Sequence, residues 1–171
     1  MSMVRLAAAG ILLLGAAGAW ADEAEDAFNS QFGEEYQKVT ASPSAVDDVD
    51  LAIKILQAAS NPGNPPALAD LLCEKVFELG GKHFKGYAAA AEAMERMAER
   101  SPDKKPACAE RIAAIRQKQF AATRKPQDRM AAGSAYIDAL LMVTEVQAQA
   151  DSAADLARLG KKVLTTAKAI G

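Results

Sequence analysis

The chain has 171 residues, with 20 basic and 22 acidic side chains, a single histidine and two cysteines. That length suits one domain with an adequate core, and a formal charge of −2 argues against general nucleic-acid binding, which needs a strongly basic face. Aromatic content of 5% beside abundant alanine points to close-packed helices.

The first 21 residues read as a secretory leader. Arg5 forms a short positive region, "LAAAGILLLGAAGA" an apolar one, and Ala19-Trp20-Ala21 a small-residue cleavage site. An uncleaved anchor helix is the competing reading, but the apolar run is short for a membrane span. No cysteine follows it for lipid attachment, and no Arg-Arg pair precedes it. Cleavage after Ala21 leaves a chain from Asp22 with 19 basic and 22 acidic residues, a formal charge of −3. The protein is therefore expected to be exported, periplasmic or secreted, with no membrane span after cleavage.

The remainder, 22–171, reads as a single all-α domain of about seven helices. Phe28, Phe32 and Tyr36 recur at four-residue intervals over 22–39, and Val39 lies beside them. Asp22, Glu23, Glu25 and Asp26 would suit that helix's positive end. Ser44 with Asp47 has the capping-box pattern before Val49, Ile53 and Leu56. "SNPGNPP" at 60–66 breaks the chain, and Asn64 is expected to cap a helix from 66 to 79 with Leu72, Val76 and Leu79 inward. Gly80-Gly81 ends that helix, and the next, 86–100, carries Tyr87, Ala90, Met94 and Met97 on one side. Ser101-Pro102 opens a helix to about 122 through Ile112 and Ile115. After "TRKPQD" comes the most apolar helix, 127–149, with Tyr136, Ile137, Leu140, Leu141 and Val143. Ser152 and Asp155 form a second capping box for a last helix bearing Leu156, Leu159, Val163 and Leu164.

Compared with itself at an offset of 36 residues, the sequence places Pro66 on Pro102, Glu74 on Glu110, Lys75 on Arg111 and Val76 on Ile112. Leu79 then falls on Ile115, Lys82 on Lys118 and Phe84 on Phe120. A period in the thirties suggests stacked helix pairs. "LLCEKVFELGGKHFKGYAAAAEAMERMAERSP" resembles a degenerate tetratricopeptide-type unit, with Tyr87, Ala90, Met94, Met97 and the closing Pro102. "YIDALLMVTEVQAQADSAADLARLGKKVL" is similar to a second, worn unit with Asp151 at its turn. The Trp-x-x-Leu-Gly signature of the family's first helix is missing from both. The resemblance covers 65–168 and implies a right-handed solenoid of antiparallel pairs capped by 22–64. The alternative is a closed up-down bundle, in which the first helix would pack against the last.

Reactive chemistry is scarce. The sequence has no C-x-x-C, H-E-x-x-H, G-x-S-x-G or phosphate-loop motif, so no catalytic, cofactor-binding or metal-ligating residue is nominated. Cys73 and His83 lie ten residues apart, about 15 Å along a helix, too far to share a site unless Gly80-Gly81 folds the chain back. Glu34-Glu35 and Asp47-Asp48 are expected on solvated faces.

Two features remain. Residues 96–129 hold ten basic and four acidic side chains, and Lys104, Arg111, Lys118 and Lys125 recur every seven residues. This stripe is a solvated face or a docking surface for an acidic protein or anionic envelope component. Tyr87, Met94 and Met97 could line a groove but at helical spacing read as core. Cys73 and Cys108 are 35 residues apart, nearly one repeat, so in an exported protein they are expected to pair across the third and fifth helices. Two independent buried thiols are the other outcome. The functional expectation is a non-catalytic protein-binding or scaffolding module, with a carboxylate-dependent enzyme or accessory subunit as its rival.

Export has a direct check. The mature protein should have the mass of a chain starting at Asp22 and no tryptophan fluorescence, because Trp20 is the only tryptophan. Retained Trp20 emission would show that cleavage does not occur there.

Overall fold

The computed structural model describes residues 12–148 and 153–170, with side chains from 21 to 148 and from 157 to 170. Among these residues there are seven α-helices, two 3₁₀ turns and no strand. The α-helices are α1 (Leu12–Ala41), α2 (Ala45–Ala59), α3 (Pro66–Gly80), α4 (Tyr87–Arg100), α5 (Lys105–Ala122), α6 (Pro126–Ala148) and α7 (Ala153–Ile170). The 3₁₀ turns Phe84–Gly86 and Pro102–Lys104 lead into α4 and α5. Much of the expected leader lies outside the described residues, as does Ser152 of the second capping box. From Leu12 the helix runs unbroken through Ala21, so Asp22, Glu23, Glu25 and Asp26 sit within α1 rather than at its start. No helix of the described residues is long and apolar enough to cross a membrane.

Each helix packs on the one that follows it, and α1 also packs on α3 and α2 on α4. Among the described residues α1 makes no contact with α7. The core is nearly continuous, from Phe28 and Phe32 of α1 through Leu51, Ile55, Leu72, Val76, Met94, Met97 and Ile112 to Leu140 and Leu159. Met94 and Met97 are fully buried, and Tyr87 is half-buried in a satellite cluster with Phe77, Ala90, Ala91 and Ile115. Met94 and Met97 are packing residues, and Tyr87 packs in part against that cluster.

The helix junctions differ from expectation in instructive ways. Ser44 flanks α2 without a capping hydrogen bond, and its own amide donates to Ser42 Oγ at 3.1 Å. Asn64 does not cap α3. Its Nδ2 donates to Ala58 O at 2.8 Å, adding a second bond to a carbonyl at the end of α2 that already accepts from the Asn61 amide, while Pro65 and Pro66 lead into α3. The Gly80-Gly81 break works by proximity. A Cβ on Gly86 would lie 2.5 Å from Gly80 O, and one on Gly80 would lie 2.8 Å from Gly86 O, so the end of α3 meets the entry to α4 backbone to backbone. The inward face of α2 is rotated from the expected one: Leu51, Ala52, Ile55 and Leu56 are buried with Val49, while Ile53 is 43% exposed. On α6, Leu141 likewise points outward.

The Cys73–Cys108 disulfide is corrected by the fold. Both cysteines are buried free thiols outside bonding distance. Helices α3 and α5 lie on either side of α4, and no α-carbon of one comes within 8 Å of the other. A disulfide needs a Cα separation of roughly 4.4–6.8 Å. The 35-residue spacing leaves the two positions on helices with α4 between them. Burial raises both thiol pKa values, and Arg100 and Arg111 respectively pull them partway back. Two thiols should therefore be counted by non-reducing mass spectrometry, and a thiol reagent should label them only as the protein unfolds. Rapid labelling of the native protein would contradict their burial.

Candidate functional site

The most concentrated polar chemistry is built around Asp70, on the second turn of α3 and only 7% exposed. Arg100 Nε at the end of α4 donates to its Oδ1 at 3.1 Å. Ser101 Oγ and Lys104 Nζ, from the following turn, both donate to Oδ2 at 2.8 Å. Ser101, expected to cap the fifth helix, thus spends its hydroxyl on α3 instead. Arg100 Nη2 also reaches Cys73 Sγ at 3.4 Å. Burial pushes the Asp70 pKa up, but hydrogen bonds from Lys104, Ser101 and Arg100 more than offset it and hold the carboxyl below its usual range. An ionised carboxylate with every oxygen engaged is a structural anchor, unable to take up a proton near neutrality.

The other candidates are similarly committed. Asp48, expected to be solvated, is 5% exposed and accepts from Lys82 Nζ at 3.0 Å, while Asp47 is exposed. Glu35 pairs with Lys54, and Glu34 is exposed. His83 begins the first 3₁₀ turn, its Nδ1 accepting from the Lys85 amide at 3.3 Å and its ring 4.3 Å from that of Phe84. It has no contact with Cys73. Among the described residues no group of histidine, cysteine and carboxylate side chains could hold a metal ion.

The basic stripe lies at the surface but is largely engaged within the protein. Lys104 binds Asp70, Arg111 Nη1 pairs with Glu74 Oε2 at 2.5 Å, and Lys118 Nζ donates to Gly81 O at 3.3 Å. The Arg111 guanidinium also lies 5.3 Å from the centre of the Phe77 ring. These three cations point back across α4's flank to α3, and of the four only Lys125, exposed at the α5–α6 turn beside Arg124, makes neither an ion pair nor a side-chain hydrogen bond to a described residue. A seven-residue spacing fixes a common face but not what that face meets.

A different region carries unspent polarity: the seam of α5, α6 and α7. An outer cleft of about 570 Å³ lies against Phe120, Arg129, Tyr136, Lys161, Lys162 and Thr166. A smaller inner cleft of about 230 Å³ continues past Tyr136 to Leu140, Val143, Leu159 and Gln147. Tyr136 is 4% exposed and its phenol makes no hydrogen bond to any described residue; burial raises its pKa, which keeps it protonated. Gln147 Oε1 is buried without a partner, while its Nε2 lies 3.4 Å from Glu110 Oε1. An unpaired buried polar group costs about 1–3 kcal/mol. Of these residues Tyr136, Leu140, Val143 and Leu159 stood out in the sequence as core, and Glu110 and Phe120 only in the 36-residue self-comparison. The signal was in principle available: the fourth apolar-phase position of α7 after Leu159 and Val163 is a threonine.

The Asp70 anchor predicts a pH dependence of definite sign. Its folded pKa is depressed, so its contribution is complete above the ordinary Asp value of about 3.9 and disappears as pH falls through the lower folded value. Asp70→Asn should therefore cost about 2 kcal/mol at pH 7, with the deficit shrinking in acid, as read by denaturant melts across pH. A deficit independent of pH would show that shape, not charge, holds the junction. Comparison of the chain with protein-family models, curated proteins and solved structures finds no match.

Proposed function

We propose that the chain is an exported, non-catalytic binding or scaffolding module whose helices form a TPR-like right-handed stack of antiparallel pairs. The recurrence of inter-helix bonds at one sequence spacing supports the stack. Asp48–Lys82 and Asp70–Lys104 are 34 residues apart, Ser60–Arg96 is 36, and Glu74–Arg111 and Gly81–Lys118 are 37. That spacing is the period expected of repeated helix pairs, whereas a closed bundle would be supported by contacts between its first and last helices.

The observation that carries the binding role is where the ionisable groups go. The two buried carboxylates, Asp48 and Asp70, are each bound to cations, and both thiols are sealed in the core. Such groups fasten helices together, and what is left to act is surface. The partner favoured is an acidic protein or anionic envelope component, and it would meet the cations the fold does not consume, Arg124 and Lys125 foremost. A carboxylate-dependent enzyme has no comparable support.

Affinity recovery from envelope extract is the test. One partner should be recovered saturably, less at high salt, and less again after reversing Arg124 and Lys125 to Glu, with helicity unchanged. Recovery indifferent to salt and to that reversal would remove the cationic surface from the account. Turnover abolished by a single carboxylate substitution would overturn the non-catalytic reading.

A further inference from the structure

The α5–α6–α7 seam holds polar groups for which the fold has no use. Four of the five threonines, Thr40, Thr123, Thr144 and Thr165, turn their hydroxyls back onto a carbonyl four residues earlier. That is the ordinary way for a helix to satisfy a threonine. Thr166 does not, although it is 6% exposed and faces the outer cleft. Tyr136, more buried still, lines both clefts with a phenol that bonds to nothing described. Two largely buried residues that turn unbonded hydroxyls toward one open cleft are what a site prepared for a hydrogen-bonding ligand would show.

The charges and rings around them specify the ligand. Lys161 and Lys162 stand at the rim without an ion pair to any described residue. The guanidinium of Arg129 lies 4.5 Å from the centre of the Phe120 ring, which fixes its position over the cleft. Phe120 and Tyr136 are stacked with ring centres 6.4 Å apart and planes inclined by 27°, giving a flat aromatic wall. Among the described residues lining the outer cleft there is no carboxylate. We propose that this seam binds a small aromatic anion, an aryl carboxylate or aryl phosphate, with its ring against Phe120 and Tyr136 and its anionic head between Arg129, Lys161, Lys162 and the Thr166 hydroxyl.

This goes beyond docking of a macromolecule and does not depend on it. The ring supplies apolar contact with the wall, and the head meets three cations in a partly desolvated setting, where charge-assisted hydrogen bonds are strongest. Thr166 donates to the head, and the Tyr136 phenol, protonated at neutral pH, is available to a second oxygen. The outer volume lies within the roughly 300–1,000 Å³ of small-molecule sites. The inner cleft, with Leu140, Val143 and Leu159, allows an apolar substituent on the ring.

Isothermal titration of the purified protein with benzoate and with phenyl phosphate decides the matter, with inorganic phosphate and neutral benzamide as comparators. Saturable one-to-one binding of both aryl anions is expected, weakened about tenfold or more by the Lys161→Gln/Lys162→Gln pair. Thr166→Val and Tyr136→Phe should each weaken it about three- to tenfold while leaving the melting temperature close to that of the wild type, because each removes a hydroxyl that bonds to nothing in the fold and nearly keeps the shape. That combination, lost binding with stability kept, is not what a purely packing role would give. No saturable binding of either aryl anion, inorganic phosphate binding as tightly as phenyl phosphate, or affinities indifferent to Thr166→Val and Tyr136→Phe would each overturn the proposal.

Discussion

A single buried carboxylate ties the middle of the molecule together. Asp70 sits near the start of α3, and its partners Arg100, Ser101 and Lys104 span the turn from α4 into α5. The α4–α5 junction is thereby fastened to a helix that precedes it by a whole pair. A carboxylate in this setting is stabilising only with its partners in place, since an unpaired buried charge costs far more than a missing one. Every element packed on α4 and α5 inherits its position from that arrangement. Asp48 with Lys82 does the same work one step earlier, fixing α2 to the turn after α3.

Much of the architecture was legible because apolar periodicity and helix breakers act locally. Proline and glycine at 60–66, at 80–81 and at 102 mark where helices stop or start, and the structure breaks at those places. Junction chemistry was less legible. Asn64, Ser44 and Ser101 are residue types that favour caps, yet a side chain takes the best acceptor or donor that the fold brings near, and that partner is set by tertiary structure. The phase of α2 was misread for a related reason. Ile53 is apolar but outside, while Asp48 is charged but inside, because one lysine across the turn is enough to reverse the expectation for a carboxylate.

The stripe and the cysteines turn on one spacing. A period near 36 residues relates α3 to α5 in the sequence, and Glu74 stands opposite Arg111. It does not say how far apart corresponding helices are. With α4 between them, the gap is too wide for two short thiols and well matched to a long arginine or lysine. Lys104, Arg111 and Lys118 are therefore spent as struts between helices two apart, and the spacing that suggested a docking surface was the signature of those struts. Sequence periodicity reports register, and side-chain length decides which residues can use it.

The α5–α6–α7 seam runs against this economy. Close packing is available there: a Cβ on Gly133 would lie 2.3 Å from Ile170 Cγ2 and 3.2 Å from Phe120 Cε2, so the three helices converge tightly at that end. A few residues away the same helices part around a cleft into which Tyr136 and Thr166 turn unbonded hydroxyls. A phenylalanine and a valine would fill those positions with nearly the same shape, and among the described residues the buried carboxylates Asp48 and Asp70 have partners. Tight packing beside a cleft where Tyr136 and Thr166 keep unbonded hydroxyls, with Arg129, Lys161 and Lys162 around it, is what selection for a ligand completing those hydrogen bonds would leave.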